Sequence, residues 1–155
     1  MGLASLVREI SQQQLFWAHS IPATYAQGAN QVIFNITGGP VWIRAFVEYN
    51  DTLVAAATTT TVLVGAVGLD TGAQTIAGAA GTMVVSPLDA AVAKLAAPAL
   101  AVQMPSLLGF ATNIGVVASP GVTINITFAA ADMGVGELAS YYCAYYKMAS
   151  NSLIA

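Results

Sequence analysis

Charge is what this 155-residue chain has least of: Asp, Glu, Lys and Arg together make 7% of it, against about a quarter of an average soluble domain. So few charges cannot cover a free monomer's surface well, which predicts that much of the exterior is buried against copies of the chain or another protein. The 4 basic residues, Arg8, Arg44, Lys94 and Lys147, are scattered and the net charge is −3. Neutralising several phosphates needs clustered cations, so nucleic acid is not an expected partner. The single cysteine, Cys143, cannot close an internal disulfide and, on an aromatic strand, reads as a small buried hydrophobe.

Catalytic and metal chemistry is equally short of material. The lone histidine, His19, has no Gly-x-Ser-x-Gly elbow to join in a nucleophilic triad, and reads as a surface or packing residue. A zinc site wants three or four His and Cys ligands, and the chain holds 1 of each. Asp51, Asp70, Asp89, Asp132 and Glu137 fall in or beside turns and helix starts, a dispersed set that does not make a calcium loop. Gly65-Ala-Val-Gly68 and Gly78-Ala-Ala-Gly81 lack the Gly-Lys-Ser/Thr of a phosphate loop. No enzyme, cofactor or metal is expected. The uncharged stretch 95–131 is broken by Pro98, Pro105, Gly109, Gly115, Pro120 and Gly121, so no spanning helix of about 20 residues survives in it. Arg8-Glu9 interrupts any signal-peptide core, and the alternating segments of a membrane barrel are not evident. A soluble subunit of an assembly, without membrane contact, is the expectation.

What the chain has is 57% hydrophobic residues, and 14 Gly between short β-branched or aromatic runs. Gln31–Thr37 and Val41–Tyr49 flank Gly38-Gly39-Pro40, whose glycines suit a hairpin or a tight corner, and read first as two strands of a core hairpin. Period-two alternation puts Val32, Phe34 and Ile36 on one face of the first strand. In the second it sets Val41, Ile43, Ala45, Val47 and Tyr49 against Trp42, Arg44, Phe46 and Glu48. Val122–Phe128 alternates cleanly, Gly134-Val135-Gly136 turns it, and Glu137–Met148 returns as an aromatic strand. Tyr141, Tyr142, Tyr145 and Tyr146 of that strand read as core and interface packing. The Asn-Ile-Thr triplets at 35–37 and 125–127 match a glycosylation pattern, which strand alternation explains. Ser86-Pro87-Leu88-Asp89 has the form of a helix start, predicting a short helix through Ala90–Ala96.

The first 27 residues differ from the rest. Leu3, Leu6, Val7 and Ile10 share one helical face, predicting a short amphipathic helix over 2–14. Residues 1–27 then form an arm, docked on a neighbour or packed on its own domain, and 28–155 an antiparallel β-sandwich or jelly-roll-like domain. The chain is thus expected to be all-β apart from the helical arm and the one short helix in the middle. Aromatics are the usual anchors of interfaces, which makes Phe16, Trp17 and Trp42 the candidate contact residues.

The strand into Thr37-Gly38-Gly39, the return strand Val41–Val47, the Thr/Ala/Val-rich middle, the Ser119-Pro120-Gly121-Val122 corner and the tyrosine-rich closing strand form one pattern. It resembles small structural proteins of tailed bacteriophages that decorate or cement the capsid, over residues 31–61 and 116–148. The N-terminal arm and Trp42-Ile43-Arg44 depart from that pattern. The resemblance implies a homo-oligomeric β-sandwich or jelly-roll subunit; a trimer on a local three-fold axis is the favoured oligomer, a number the sequence does not fix. The subunit would be made in the host cytoplasm and carried on the virion, bound to the major capsid protein on the outer face of the shell. The alternative is a carbohydrate-binding or other adhesion module of a fibre base or tail.

Overall fold

A computed structural model describes residues 14–28, 30–55, 59–68, 74–75, 77–86, 95–97, 115–129 and 131–155. Among them there is no helix. Twelve strands run in chain order: β1 (Leu15–His19), β2 (Asn30–Thr37), β3 (Val41–Asn50), β4 (Thr59–Val64), β5 (Val67–Gly68), β6 (Gln74–Thr75), β7 (Met83–Ser86), β8 (Leu95–Ala97), β9 (Val116–Ala118), β10 (Thr123–Ala129), β11 (Ala139–Lys147) and β12 (Leu153–Ile154). They make two antiparallel sheets of six strands. One, the aromatic sheet, has the order β1-β11-β3-β7-β8, with β9 also on β3; the other, the threonine-rich sheet, has the order β12-β2-β10-β4-β5, with β6 on β4.

The residues around Gly38-Gly39-Pro40 do not make the expected hairpin. β2 pairs with β10 and β12 while β3 pairs with β11, β7 and β9, so the turn is a corner between the two sheets. A two-residue hairpin would need Thr37 and Pro40 to close the ladder, and proline has no N–H to give. Gly38 instead takes φ 74°, the Gly39 N–H donates to the Thr37 carbonyl at 2.9 Å, and the C-terminal turn fills the corner. There the Ser152 hydroxyl donates to the Pro40 carbonyl at 2.7 Å, and the Met148 N–H donates to it at 3.1 Å. The same correction applies to Val122–Phe128 and Glu137–Met148: β10 and β11 lie in different sheets. The chain therefore crosses between sheets at both of these turns, and β2 pairs with β10 as β3 pairs with β11.

Two bulges overturn the expected faces. Ile124 pairs with Phe34 and Asn125 with Val32, which leaves Ile33 as an extra residue in β2. Val32 is thereby exposed while Phe34 and Ile36 are buried. Likewise Ala144 pairs with Ala45 and Tyr145 with Ile43, which leaves Arg44 as an extra residue in β3. One inserted residue reverses the alternation beyond it. Val41 and Ile43 thus share the inward face with Phe46, Glu48 and Asn50, whereas Trp42, Arg44, Val47 and Tyr49 lie outward.

The alternation of β10 and β11 is as expected: Ile124, Ile126 and Phe128 point inward, as do Tyr141, Cys143 and Tyr145. Between the sheets Phe34 meets Phe46 edge-on at 6.4 Å, and Phe46 stacks on Tyr141 at 5.8 Å. Each fully buried side chain of this size contributes about 1.5–3 kcal/mol. The Glu48 carboxyl enters the core with them, and the Thr60 hydroxyl of the opposite sheet donates to it, 2.7 Å from one oxygen and 2.9 Å from the other.

The helix expected over Ala90–Ala96 is corrected at its C-terminal end, where Leu95 and Ala96 belong to β8 and pair with Val85 and Val84. Ser86, read as its cap, ends β7 opposite Phe46. Its residues 87–94, and 2–13 of the N-terminal helix, lie outside the described residues. The described part of the N-terminal segment pairs with its own domain: β1 lies along β11, and Ala23 continues the ladder to Ala139.

Candidate interaction surface on the aromatic sheet

The strand registers set the outward side chains of the aromatic sheet into rows. One runs His19, Tyr142, Val47, Val85; the next Trp17, Ala144, Ala45; the next Leu15, Tyr146, Trp42, Val117. A fourth carries Ser140, Tyr49 and Met83. Cross-strand pairs of aromatic and β-branched residues stabilise a sheet wherever they fall, but here the face they form is open. Trp17 is 58% exposed and Val117 60% exposed, at opposite margins, and Leu15 is exposed too. Ala144, between Tyr142 and Tyr146 on that face, is buried.

The rings on this face engage one another. His19 stacks on Tyr142 with centroids 4.3 Å apart, and Tyr49 meets Tyr142 edge-on at 6.3 Å. Trp42 leans on Tyr146 at 5.8 Å, and the Arg44 guanidinium lies over the Trp42 ring at 4.4 Å. That contact is a cation–π pair, which lets the one guanidinium of these rows lie flat on apolar surface. No carboxylate stands in the rows, because the bulge at Arg44 turns Glu48 inward. Among the described residues Trp17 alone of the larger rings has no ring partner.

The opposite sheet presents a different exterior. Its outward side chains include Asn35, Thr61, Thr123, Asn125 and Thr127, with Val32, Leu63 and Leu153 among them. Hydroxyls and amides of this kind suit water. One sheet thus carries a solvent-suited face and the other a nearly uncharged aromatic one.

Of the residues singled out in the sequence, Trp17 and Trp42 come together on the aromatic face. Phe16 faces the other way: it packs half-buried against the core, 5.9 Å from Tyr145, with Lys147 Nζ 4.5 Å over its ring. The tyrosines divide by parity, Tyr141 and Tyr145 inward, Tyr142 and Tyr146 outward. Leu15, His19 and Val117 are not among the contact residues expected from the sequence. The strand alternation of Leu15–His19 was the available sign for the first two; nothing marked Val117 before its pairing with Trp42.

Other features offer less chemistry. An open cleft of about 400 Å³ lies at the end of β1, lined by His19, Ser20, Tyr25, Ile33 and Phe34 among others. Among the described residues no group of three or more His, Cys, Asp or Glu is placed to hold a metal. No helix is long and apolar enough to cross a membrane among those residues. Burial pushes the Cys143 thiol up to about 12. Burial, and then the Glu48 carboxyl, raise the Tyr141 hydroxyl well above its ordinary range. Neither group is poised to react near neutrality.

No protein-family model, curated protein or solved structure matches the chain.

Proposed function

We propose that this chain is a structural subunit of a tailed-bacteriophage type of virion, folded as a jelly-roll-like β-sandwich, that binds the outer surface of the capsid and stabilises the shell by protein–protein burial. The observation that carries the reading is the contrast between the two outer faces. A threonine- and asparagine-bearing face can stay in water, whereas the face of Trp17, Trp42, Tyr142 and Tyr146 gains by leaving it. Each apolar Å² buried contributes about 25 cal/mol before association costs are met, and a symmetric shell repeats the gain at every copy. The capsid itself enters through the resemblance of residues 31–61 and 116–148 to decoration proteins. An adhesion module that stacks sugars is the second reading, and Trp17 favours it as an open ring. It is the weaker one, because the neighbouring rings already engage one another or Arg44.

The test is sedimentation of particles from cells that make the chain, with the chain counted by mass spectrometry. Co-sedimentation with capsid-sized particles, at a copy number in fixed ratio to the major shell protein, is expected. A chain that stays at the top of the gradient contradicts the proposal.

A further inference from the structure

We infer that the open side of the sandwich, between β1 and the outer edge of β2, receives an extended, uncharged segment of a partner protein, which adds to β2 as a short antiparallel strand. The site lies apart from Trp17 and Trp42 and does not depend on what covers them. Two sheet edges meet there. β1 pairs with β11 alone, and β2 carries β12 only at Ile36 and Thr37. That ladder ends where the Asn35 N–H donates to the Ala155 carbonyl at 2.6 Å and the Ala155 N–H donates to the Asn35 carbonyl at 3.0 Å. Among the described residues no strand lies on the outer side of 30–34, although on their other side they go on pairing with β10. A strand's N–H and C=O groups point alternately to its two sides, so part of this main chain is left without a ladder partner.

The cleft of about 400 Å³ occupies that vacancy. Val32, Ile33, Phe34 and Ala155 form one wall, and the segment from His19 to Tyr25, which continues β1, forms the other. No Asp, Glu, Lys or Arg lines it, so a charged guest would be stranded there without a counter-ion. Its polar side chains are already engaged. The Ser20 hydroxyl accepts from the Tyr141 N–H at 2.9 Å and is hydrogen-bonded to Tyr25, and the His19 ring lies on Tyr142. The groups left to recognise a guest are therefore those of the main chain, which an extended segment matches and a small polar molecule does not. Strand addition draws affinity from main-chain bonds and selectivity from pockets for alternate side chains. Here the inward positions of the guest meet Tyr25, Ile33 and Phe34, which calls for apolar residues at every second position. The bulge at Ile33 breaks the regular spacing of β2, which limits the added strand to a few residues in line with β12. The cleft admits a single segment rather than a folded sheet, and every described strand of this chain is already laid in a sheet. The guest is thus a segment of another protein.

Photo-crosslinking of the full chain in cells that make it tests this, with benzoylphenylalanine in place of Ile21 or of Val32. The two stand on opposite walls of the cleft and both are exposed, so neither replacement disturbs the core; far-UV circular dichroism checks the fold of each. Both positions should mark the same segment of one partner protein, within a few residues of each other. The same group at Val67, exposed on β5 at the far edge of that sheet, should not mark it. A synthetic peptide of the marked segment should then bind the purified chain saturably. N-methylating alternate amides of the peptide should weaken binding at least about tenfold in one of the two possible settings and less than about threefold in the other, since only one side of the guest bonds β2. Crosslinks from neither position, crosslinks to unrelated segments or to this chain itself, a peptide that does not bind, or one that responds alike to both N-methylation settings each overturn the inference.

Discussion

Glu48 faces the core because Arg44 adds a residue to its strand, and a hydroxyl from across the core helps to make that burial tolerable. The Thr60 bond joins the two sheets at a place where an unpaired carboxyl would cost several kcal/mol. Thr60→Val should therefore lower unfolding stability in urea by about 1–3 kcal/mol, with Thr60→Ser retaining most of it. The Tyr141 hydroxyl is buried without a hydrogen-bond partner among the described residues. Tyr141→Phe should accordingly change stability by less than about 1 kcal/mol; a large loss would reveal a bond the geometry does not contain. Cys143 gives a pH signature. Its thiol is raised by burial from 9.0 to about 12, so the folded chain keeps a proton that the unfolded chain releases. That contribution is fully present below pH 9 and is lost as pH rises towards 12, at up to about 1.4 kcal/mol per pH unit. Denaturation midpoints should fall over that window, and less steeply in Cys143→Ala; an identical slope in the variant would contradict the assignment.

At the scale of elements, the corner at Gly38 does more than turn the chain. An added Cβ at Gly38 would run into the backbone carbonyl of Asn151, and φ is +74° there, whereas Gly121, at +85°, has open space. Gly121→Ala should cost about 1–2 kcal/mol, the price of the left-handed backbone alone. Gly38→Ala should cost more than about 2 kcal/mol, because the C-terminal turn must also shift. Equal losses in thermal or urea unfolding would mean that the C-terminal turn does not hold the corner. The same corner shows how much was legible in the sequence. Strand positions at 31–37, 41–49 and 122–128 are plain from alternation. Their partners are not plain, because two glycines serve a hairpin and a corner alike. Pro40, with no N–H to close a hairpin, was the readable sign. The bulges at Ile33 and Arg44 left no sign, since both residues suit a regular strand; each reverses every side chain beyond it. Tertiary pairing carries Val84, Val85 and Ser86 as a strand beside β3, and Pro87 with the rest of the expected helix start lies outside the described residues.

For the whole molecule, the scarcity of charge predicts an exterior in need of cover without saying where on the surface it lies. Trp17 and Trp42 are 25 positions apart and share one sheet face only because β1 and β3 flank β11 on its two sides. No spacing rule reports a pairing of that range, which is why Phe16 looked equivalent to Trp17 until its strand was seen to turn it inward. On the proposed function, the aromatic face is buried against protein when the chain is assembled. Hydroxyl-radical footprinting measures this directly, by comparing the assembled chain, concentrated or on particles, with the dilute chain. Trp17 should oxidise several-fold more slowly in the assembled state, while Leu153 on the opposite sheet oxidises at an unchanged rate. Oxidation of Trp17 at the same rate in both states would contradict the claim.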